Sequence, residues 1–286
     1  MMNRKGMLMD NIREIEKLAY KMRKDTLRGI YNAGSGHPGG NFSCAEIIAT
    51  LYSGIMRVDP KNPKWQDRDR LVLSKGHAGP ILFTALASNG FFPMKECENI
   101  RSITSKLQCT PSLKVEGCDA SAGSLGQGLS TAVGMALAGK ADNKDYRVFV
   151  LMGDGEQDEG QIWEAVMAAA HHKLDNLIGI VDNNQVQMCG TIKDILDTGD
   201  LGNKYAAFGW NVIRIDGHDV KQIKEAIEAA DKEKSKPTII IATTVKGKGV
   251  SYMEGKYQWH GAAPNEEEYK IAMGELDNVI NALGGE

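Results

Sequence analysis

The stretch from Arg147 to Val186 constrains the fold more than any other part of the sequence. Two apolar runs rich in β-branched residues, Arg147–Met152 and Leu177–Val181, flank a segment, Gln161–His172, whose apolar residues recur at helical spacing. This pattern predicts a strand–helix–strand unit with buried parallel strands and a right-handed crossover. The loops that follow neighbouring parallel strands lie at one edge of a sheet, where open α/β folds bind their ligands.

Oxygen-bearing residues in those two loops predict a cation site. Asp154 follows the first strand, Asn184 follows the second, and an extended Val186 adds a backbone carbonyl. One carboxylate and two neutral oxygens suit a hard divalent cation such as magnesium, calcium or manganese. This set leaves coordination positions for water and two phosphate oxygens, so the ion would bridge the protein to a diphosphate. Gly153 and Gly155 let the backbone approach that phosphate closely.

Either loop alone is equally well explained as a turn, because glycine, aspartate and asparagine are the usual turn residues. Together, Gly153-Asp154-Gly155-Glu156 and Asp182-Asn183-Asn184 match the motif of thiamine diphosphate enzymes, and Asp158-Glu159-Gly160 with Glu164 resembles its transketolase version. The resemblance to the first, diphosphate-binding domain of transketolases covers about residues 10–283. It implies an α/β thiamine-diphosphate-binding fold, with a parallel sheet and helices on both faces, as a single domain. It also implies thiamine diphosphate and magnesium as cofactors.

Three histidines lie in segments that resemble transketolase loops. His37 lies in the glycine-rich segment Gly34–Gly40, which does not fit the spacing of a nucleotide-binding phosphate loop. The resemblance implies that His37 lies at the reactive end of the cofactor. It also implies that His77, after the predicted strand Arg70–Ser74, and His260, in a Trp-His-Gly segment, contact the diphosphate. Without the resemblance, a histidine in a turn is more often a structural residue.

The same resemblance implies the other site residues. Gly123 and Leu125, in a glycine-rich segment before a helix of small residues, correspond to main-chain contacts with thiamine, although tight helix packing also explains these glycines. Glu159 and Glu164 correspond to an acidic network between two cofactor sites near a dimer interface. The residues assigned to catalysis are His37, His77, His260, Glu159 and Glu164. The residues assigned to the cofactor are His77, Gly123, Leu125, Gly153, Asp154, Gly155, Glu156, Asn184 and His260, and those assigned to the metal are Asp154, Asn184 and Val186.

Two other polar segments, around His218 and around Lys246 and Lys248, are expected to have no role in ligand binding. His218 lies beside Asp219, a predicted helix cap, and is expected to be solvated, with a ligand role as the alternative. Lys246 and Lys248 alternate with glycines after the predicted strand Thr238–Thr243. They are expected in a surface turn, and an anion clamp is the alternative.

Hydrophobic periodicity predicts the remaining elements. It predicts helices over Asp10–Tyr31, Ser43–Arg57, Leu129–Ala138 and Val220–Lys234, and a last helix that starts with an Asn265–Glu268 capping box and runs through Leu283. It predicts further strands over Arg70–Ser74, Trp210–Ile215 and Thr238–Thr243. Phe91–Gly117 and Met188–Gly202 have no regular pattern and are predicted to be irregular.

Composition excludes several classes of function. The net charge is only −3, with 42% hydrophobic and 25% charged residues, so bulk charge predicts neither a nucleic-acid partner nor a membrane partner. No apolar run approaches the length of a membrane span, and the N-terminus lacks the apolar core of a secretory signal. The five cysteines lack paired metal-ligand spacing, so reduced thiols in the cytoplasm are expected.

The resemblance predicts that the chain works with a partner. In transketolases a second domain, from the other chain of the dimer, holds the aminopyrimidine and supplies the glutamate that protonates it, and a third domain follows. Neither domain has a counterpart in this sequence. We therefore expect the N-terminal subunit of a split transketolase, which forms an α2β2 heterotetramer with a C-terminal subunit. The assembly would transfer a two-carbon ketol unit from a ketose or ketose phosphate donor to an aldose acceptor. The same chemistry on a non-standard sugar or a 2-oxoacid donor stays open, as does a non-catalytic cofactor-binding role.

One position departs from the family pattern. Many transketolases carry an active-site histidine in a Gly-His-Pro segment shortly before the thiamine-contacting glycines, and the corresponding segment here is Gln108–Ser112. The histidine position falls on Thr110, with Cys109 as the other candidate. Threonine is shorter than histidine and is neither an acid nor a base near neutral pH. This departure predicts a roomier site that favours a non-standard sugar or sugar-acid derivative.

Overall fold

The centre of the fold is a parallel sheet, seen in a computed structural model that describes residues 11–284. In chain order its strands are β1 (Arg70–Leu73), β2 (Val148–Gly153), β3 (Leu177–Asn183), β4 (Asn211–Asp216) and β5 (Thr238–Thr243). Their order across the sheet is β1-β2-β3-β5-β4, and every neighbouring pair is parallel. All strands predicted from the sequence are present with small shifts in their bounds, so the predicted α/β fold class is confirmed.

Helices connect the strands and cover both faces of the sheet. In chain order they are α1 (Ile12–Ala33), α2 (Pro38–Phe42), α3 (Ala45–Thr50), α4 (Gly79–Ser88), α5 (Gln127–Ala141), α6 (Gly160–His171), α7 (Ile192–Ile195), α8 (Leu201–Ala207), α9 (Val220–Lys232) and α10 (Glu266–Ala282). Short helical segments of one or two turns lie at Leu51–Ile55, Gly76–Ala78, Met94–Asn99, Gly155–Asp158 and Tyr257–His260. One face of the sheet packs against α1, α3, α4 and α9, and the other against α5, α6 and α8. Helix α10 packs against α1.

The central strands are covered on both faces, which explains their continuous apolar runs. β2, β3 and β5 are buried along nearly their whole length, whereas the edge strand β4 is only partly covered. Parallel strands between two layers of helices have this composition. Because the strands run in one direction, the loops after β2, β3 and β5 lie at one edge of the sheet.

Helix ends follow the capping residues in the sequence. Asn11 accepts a hydrogen bond from the backbone of Arg13 at the start of α1, and Gly34, with a φ of 61°, follows its last residue. The predicted capping box of α10 is confirmed. Asn265 Oδ1 accepts a hydrogen bond from Glu268 N at 3.0 Å, and Glu268 Oε2 accepts one from Asn265 N at 2.8 Å.

Two predictions of local structure are wrong. The helix predicted over Ser43–Arg57 is interrupted. Helical structure starts earlier, at Pro38, and breaks between α2 and α3. After α3 it continues only through Leu51–Ile55, where Gly54 has a φ of 105°. Proline favours the first helical turn, and a left-handed residue favours glycine. Met188–Gly202, predicted to be irregular, contains α7 and the start of α8. Helices this short carry too few apolar residues for a periodic pattern.

Three further predictions concern the first helix, membrane-spanning helices and the cysteines. Asp10, the predicted start of the first helix, lies outside the described residues. Between residues 11 and 284, no helix is both long and apolar enough to cross a bilayer. The five cysteines of the sequence are free thiols.

Gly128, at the start of α5, lies too close to the end of β1 for a side chain. A Cβ built at Gly128 would overlap Ser74 Oγ and lie 2.8 Å from Ser74 Cα. We expect Gly128→Ala to lower the free energy of unfolding by about 1–3 kcal/mol through overpacking, measured by urea unfolding. Gly134 lies on the exposed side of α5, where an added Cβ would meet nothing within 4 Å. Gly134→Ala should therefore raise the free energy of unfolding by about 0.5–1 kcal/mol. Equal stabilities of the two variants would contradict this packing.

Candidate active site

The structure brings the two predicted oxygen-bearing loops together. Asp154 follows β2 and Asn184 follows β3, and both side chains are buried, with Asp154 3% exposed. Asp154 Oδ2 accepts a hydrogen bond from Gln185 N in the second loop. Gln185 has a φ of 64°, a left-handed conformation that turns this loop back toward Asp154. The juxtaposition expected from the strand–helix–strand unit is therefore observed.

The oxygens of the predicted cation ligands already accept hydrogen bonds within the chain. Burial and the nearby Asp182 raise the pKa of Asp154 to about 6. Asn184 Oδ1 accepts a hydrogen bond from Val186 N at 3.1 Å, and Val186 O accepts one from Lys246 Nζ at 2.8 Å. Within residues 11–284, no group of three His, Cys, Asp or Glu side chains could hold a metal alone. A cation here would need further ligands from a bound anion.

Lys246 is buried, so the expectation of a surface turn is wrong for this lysine. Its Nζ donates to Val186 O and lies 2.9 Å from His260 Nδ1, and only 2% of the residue is exposed. Burial and the nearby Lys75 lower the pKa of Lys246 to about 8. Lys248 remains partly exposed and lies 3.7 Å from a Glu254 oxygen. The surface turn therefore describes Lys248 and not Lys246, and the anion clamp stays a prediction for Lys246.

The three predicted histidines form one cluster. The ring centroids of His37 and His77 lie 5.5 Å apart, those of His37 and His260 5.5 Å, and those of His77 and His260 5.1 Å. Burial lowers the pKa of His77 well below its usual value, and burial with Lys246 lowers that of His260 to about 3. Burial and the charge of Arg101 also lower the pKa of His37. At neutral pH the cluster is uncharged, so its rings offer hydrogen bonds rather than positive charge.

Glu156 connects the loops of the site through its carboxylate. Its Oε1 accepts hydrogen bonds from Ser74 Oγ and from Gly126 N (2.9 Å), and its Oε2 accepts one from Gly153 N at 3.0 Å. These donors come from the end of β1, the segment before α5 and the end of β2. The structure thus gives the carboxylate of Glu156 a role in holding three loops, which the motif alone did not reveal.

The other predicted residues lie around this centre. Gly123 is exposed, and its backbone lies against Gly76 in the loop that carries His77. Leu125 is half-buried in the same segment as Gly123. Glu159 and Glu164 are exposed, at the start of α6 and one turn later. The structure therefore puts the two glutamates on the surface, outside the histidine cluster.

The segment that departs from the transketolase pattern lies beside the histidine cluster. A Cβ built at Gly79 would lie 2.7 Å from Cys109 O and 3.2 Å from Thr110 Cα. Gly79 starts α4, directly after the turn that contains His77. Thr110 and Cys109 are both half-buried. The backbone of both residues therefore lies close to the start of α4, two residues after His77.

Two polar contacts near the site differ from the sequence predictions. The ion pair of Lys75 and Asp182 was not predicted, and His218 was expected to be solvated. Lys75 and Asp182 form a fully buried ion pair, and no local sequence pattern distinguishes them from turn residues. His218, expected to be solvated, contacts Glu46 through one ring nitrogen and Val245 N through the other. Their partners are distant in the sequence, so only the fold reveals these contacts.

The contacts of Lys246 predict a binding site for an anion. Its direct partners are a carbonyl and a neutral imidazole, so its positive charge is available to phosphate oxygens. Lys246→Met should weaken binding of inorganic pyrophosphate roughly ten- to a hundredfold, because a hydrogen bond to a charged group is lost. Calorimetry on the full chain measures this affinity. Lys248→Met, in the same loop, should change it by about threefold at most. Equal affinities of wild type and Lys246→Met would contradict the assignment.

Comparison with known proteins identifies the family. Residues 15–277 match the family described as transketolase, thiamine diphosphate binding domain. The chain is 40% identical over 272 residues to an apulose-4-phosphate transketolase subunit from Phocaeicola vulgatus, covering 95% of this chain and 97% of that protein. It is 44% identical over 265 residues to a 6-deoxy-6-sulfo-D-fructose transketolase subunit from a Clostridium species, covering 92% and 96% of the two chains.

A solved structure of a longer relative agrees with the fold. Transketolase from Campylobacter jejuni superposes with a TM-score of 0.88 at 35% identity and covers 93% of this chain. The match spans only 43% of the Campylobacter chain, so this protein corresponds to less than half of that transketolase. The family match, the similar relatives and the shared fold agree. This chain belongs to the transketolase family and corresponds to its thiamine diphosphate-binding domain.

Proposed function

We propose that this chain is the diphosphate-binding subunit of a two-chain transketolase, which transfers a two-carbon ketol unit from a ketose donor to an aldose acceptor. The observation that carries the proposal is the convergence of the histidine cluster (His37, His77 and His260) and Lys246 next to Asp154 at one edge of the sheet. A binding module without catalysis would need the diphosphate contacts but not a histidine at the substrate end.

The residues around Asp154 fit a metal diphosphate. Asp154, Asn184 and the carbonyl of Val186 would hold magnesium, or calcium or manganese, and phosphate oxygens would complete its coordination. The raised pKa of Asp154 supports this fit, because a cation beside the buried carboxylate would offset the cost of its charge. The carbonyl of Val186 uses one lone pair to accept a hydrogen bond from Lys246 Nζ, so its second lone pair would face the cation.

The chain's own groups bind and orient the cofactor. When bound, thiamine diphosphate supplies the carbanion chemistry that breaks and forms the carbon–carbon bond. Lys246, His77 and His260 would hold the diphosphate, the lysine by charge and the neutral imidazoles by hydrogen bonds. His37, also neutral, would exchange a proton with substrate hydroxyls at the reactive end. Gly153, where an added Cβ would meet only Glu156 Cβ at 3.9 Å, would leave room for the phosphate, and the Gly123–Leu125 backbone would contact the thiamine. An added Cβ at Gly155 would instead lie 2.9 Å from Gln187 Cγ.

A partner chain completes the proposed enzyme. The related proteins are named as transketolase subunits, and their length is close to that of this chain. We infer that a C-terminal subunit supplies the pyrimidine-binding domain and its catalytic glutamate, that the single domain described here supplies the diphosphate side, and that the assembly is α2β2. The exposed Glu159 and Glu164 would lie in its interface, near the second cofactor site. The free cysteines fit a reducing compartment such as the cytoplasm.

A non-standard sugar is the substrate class that the sequence favours within this activity. The two relatives compared above are named for apulose-4-phosphate and 6-deoxy-6-sulfo-D-fructose, neither of which is an ordinary pentose phosphate. Thr110, beside the turn that contains His77, offers a shorter side chain than histidine. Both observations favour a donor or acceptor with an altered substituent over the usual donors.

Removal of the Asp154 carboxylate tests the metal diphosphate site. In the assembled enzyme, Asp154→Ala or excess chelator should weaken thiamine diphosphate binding by more than the roughly ten- to hundredfold typical of residues that only support a metal ligand. Calorimetry measures the affinity. Asp200→Asn, at the exposed cap of α8, serves as a carboxylate control that leaves the affinity unchanged. Unchanged affinity in Asp154→Ala would contradict the site.

The need for a partner tests the proposed function itself. The purified chain alone should show no ketol transfer, because half of the cofactor's surroundings is missing. Addition of the C-terminal subunit should restore turnover and form a stable complex with an interface on the order of 2,000 Å² or more. Sedimentation analysis and a coupled ketol-transfer assay measure these properties. Turnover by the chain without a partner would refute the two-chain proposal.

Thr110→His tests the substrate class. A polar group without its partner costs about 1–3 kcal/mol, so the wild type should use a xylulose-phosphate-type donor roughly ten- to a hundredfold less efficiently than the histidine variant. A donor panel on the reconstituted pair measures kcat/KM for both forms, with Cys109→Ser as the control for the neighbouring position. Equal and efficient use of ordinary pentose phosphate by wild type and variant would identify an ordinary transketolase.

A further inference from the structure

His218 is a half-buried histidine whose two ring nitrogens both have hydrogen-bond partners, although it lies outside the proposed catalytic groups. Its Nε2 lies 2.8 Å from Val245 N, which donates to it, and its Nδ1 lies 2.9 Å from Glu46 Oε2. An amide N–H always donates, so Nε2 must carry a lone pair. The neutral ring therefore carries its proton on Nδ1 and donates it to Glu46.

Glu46 is itself held in place by a buried arginine. Arg23 Nη1 and Nη2 each donate to a Glu46 carboxylate oxygen at 2.6 Å, and neither side chain is more than 4% exposed. Arg23 Nη2 also donates to Phe42 O at 2.8 Å, at the end of α2. A two-point arginine–carboxylate pair is geometrically rigid. The imidazole of His218 is therefore fixed against α1 and α3.

Val245, whose N–H donates to His218 Nε2, directly precedes Lys246 in the chain. Val245 is anchored on one side through its N–H to His218, and Gly247 on the other through its N–H to Gly39 O at 3.0 Å. Lys246 lies between these two backbone anchors, and its side chain runs inward past Gly39, where an added Cβ would lie 3.0 Å from Lys246 Cγ. The direction of the lysine thus depends on both anchors.

We propose that His218 is a positioning residue for Lys246: by accepting the Val245 N–H, it fixes the backbone that aims the lysine ammonium at the diphosphate. The proposal rests on the proposed function of the site. It assigns His218 no contact with cofactor or substrate. Its effect on anion binding passes through Lys246 and is absent when that ammonium is absent.

A double-mutant cycle with Lys246 tests the proposal on the full chain, with inorganic pyrophosphate as the probe. His218→Phe keeps an aromatic ring but removes both nitrogens, so it should weaken pyrophosphate binding about tenfold. In a Lys246→Met background the same change should have less than about a twofold effect, because residues that act as a unit are not additive. His218→Gln offers Oε1 as an acceptor near the position of Nε2 and should recover most of the affinity.

Amide exchange at Val245 gives a second readout that does not depend on a ligand. His218→Phe should raise the exchange rate of the Val245 amide by at least about tenfold, and His218→Gln should restore most of its protection. Thermal unfolding of each variant identifies any general loss of structure, and His218→Gln provides the test if His218→Phe does not fold.

The possible results separate this proposal from the proposed function. Equal loss of affinity from His218→Phe in both backgrounds, or unchanged exchange at Val245, would overturn the positioning role and leave the diphosphate site intact. If Lys246→Met alone leaves pyrophosphate binding unchanged, the diphosphate site and the positioning role both fail. Coupled affinities together with faster Val245 exchange support the proposal.

Discussion

The arrangement of the site depends on the buried ion pair between Lys75, after β1, and Asp182, near the end of β3. Asp182 also accepts hydrogen bonds from Ser43 Oγ at 2.5 Å and from Thr244 Oγ1, and Lys75 donates to Gly40 O at 2.8 Å. Removal of one partner of such a pair costs about 3–5 kcal/mol, because the other charge is left buried. One charge pair therefore joins the glycine-rich loop, the ends of β1 and β3, and the loop after β5.

The charges of Asp154 and Lys246, near this ion pair, explain which ligand the site is suited to bind. Asp154 is held by the backbone N–H groups of Gly155 and Gln185, whereas Lys246 is held by a carbonyl and a neutral imidazole. Each charge has polar contacts with neutral groups, while its natural partner is a charge of opposite sign. A metal diphosphate carries both signs, since the cation can neutralise Asp154 and the phosphate oxygens can neutralise Lys246.

The sequence predicted the features that depend on local pattern. The positions of Asp154 and Asn184 could be predicted because buried parallel strands leave continuous apolar runs that end in polar loops. The roles of Lys246 and His218 could not, because the direction of a side chain in a loop depends on the segments that pack against it. Glu156 lies between these cases. Its motif was recognised, but the donors to its carboxylate, which are Ser74 Oγ and the N–H groups of Gly126 and Gly153, come from three separate loops.

A crystal structure of the assembled enzyme with thiamine diphosphate and manganese tests the central claim most directly, since anomalous scattering identifies the metal by its element. The account predicts one manganese peak per chain, about 2 Å from a carboxylate oxygen of Asp154, Oδ1 of Asn184 and the carbonyl oxygen of Val186, with the remaining ligands from the diphosphate and water. A bound cofactor without this peak, or a metal held by other side chains, would contradict the account.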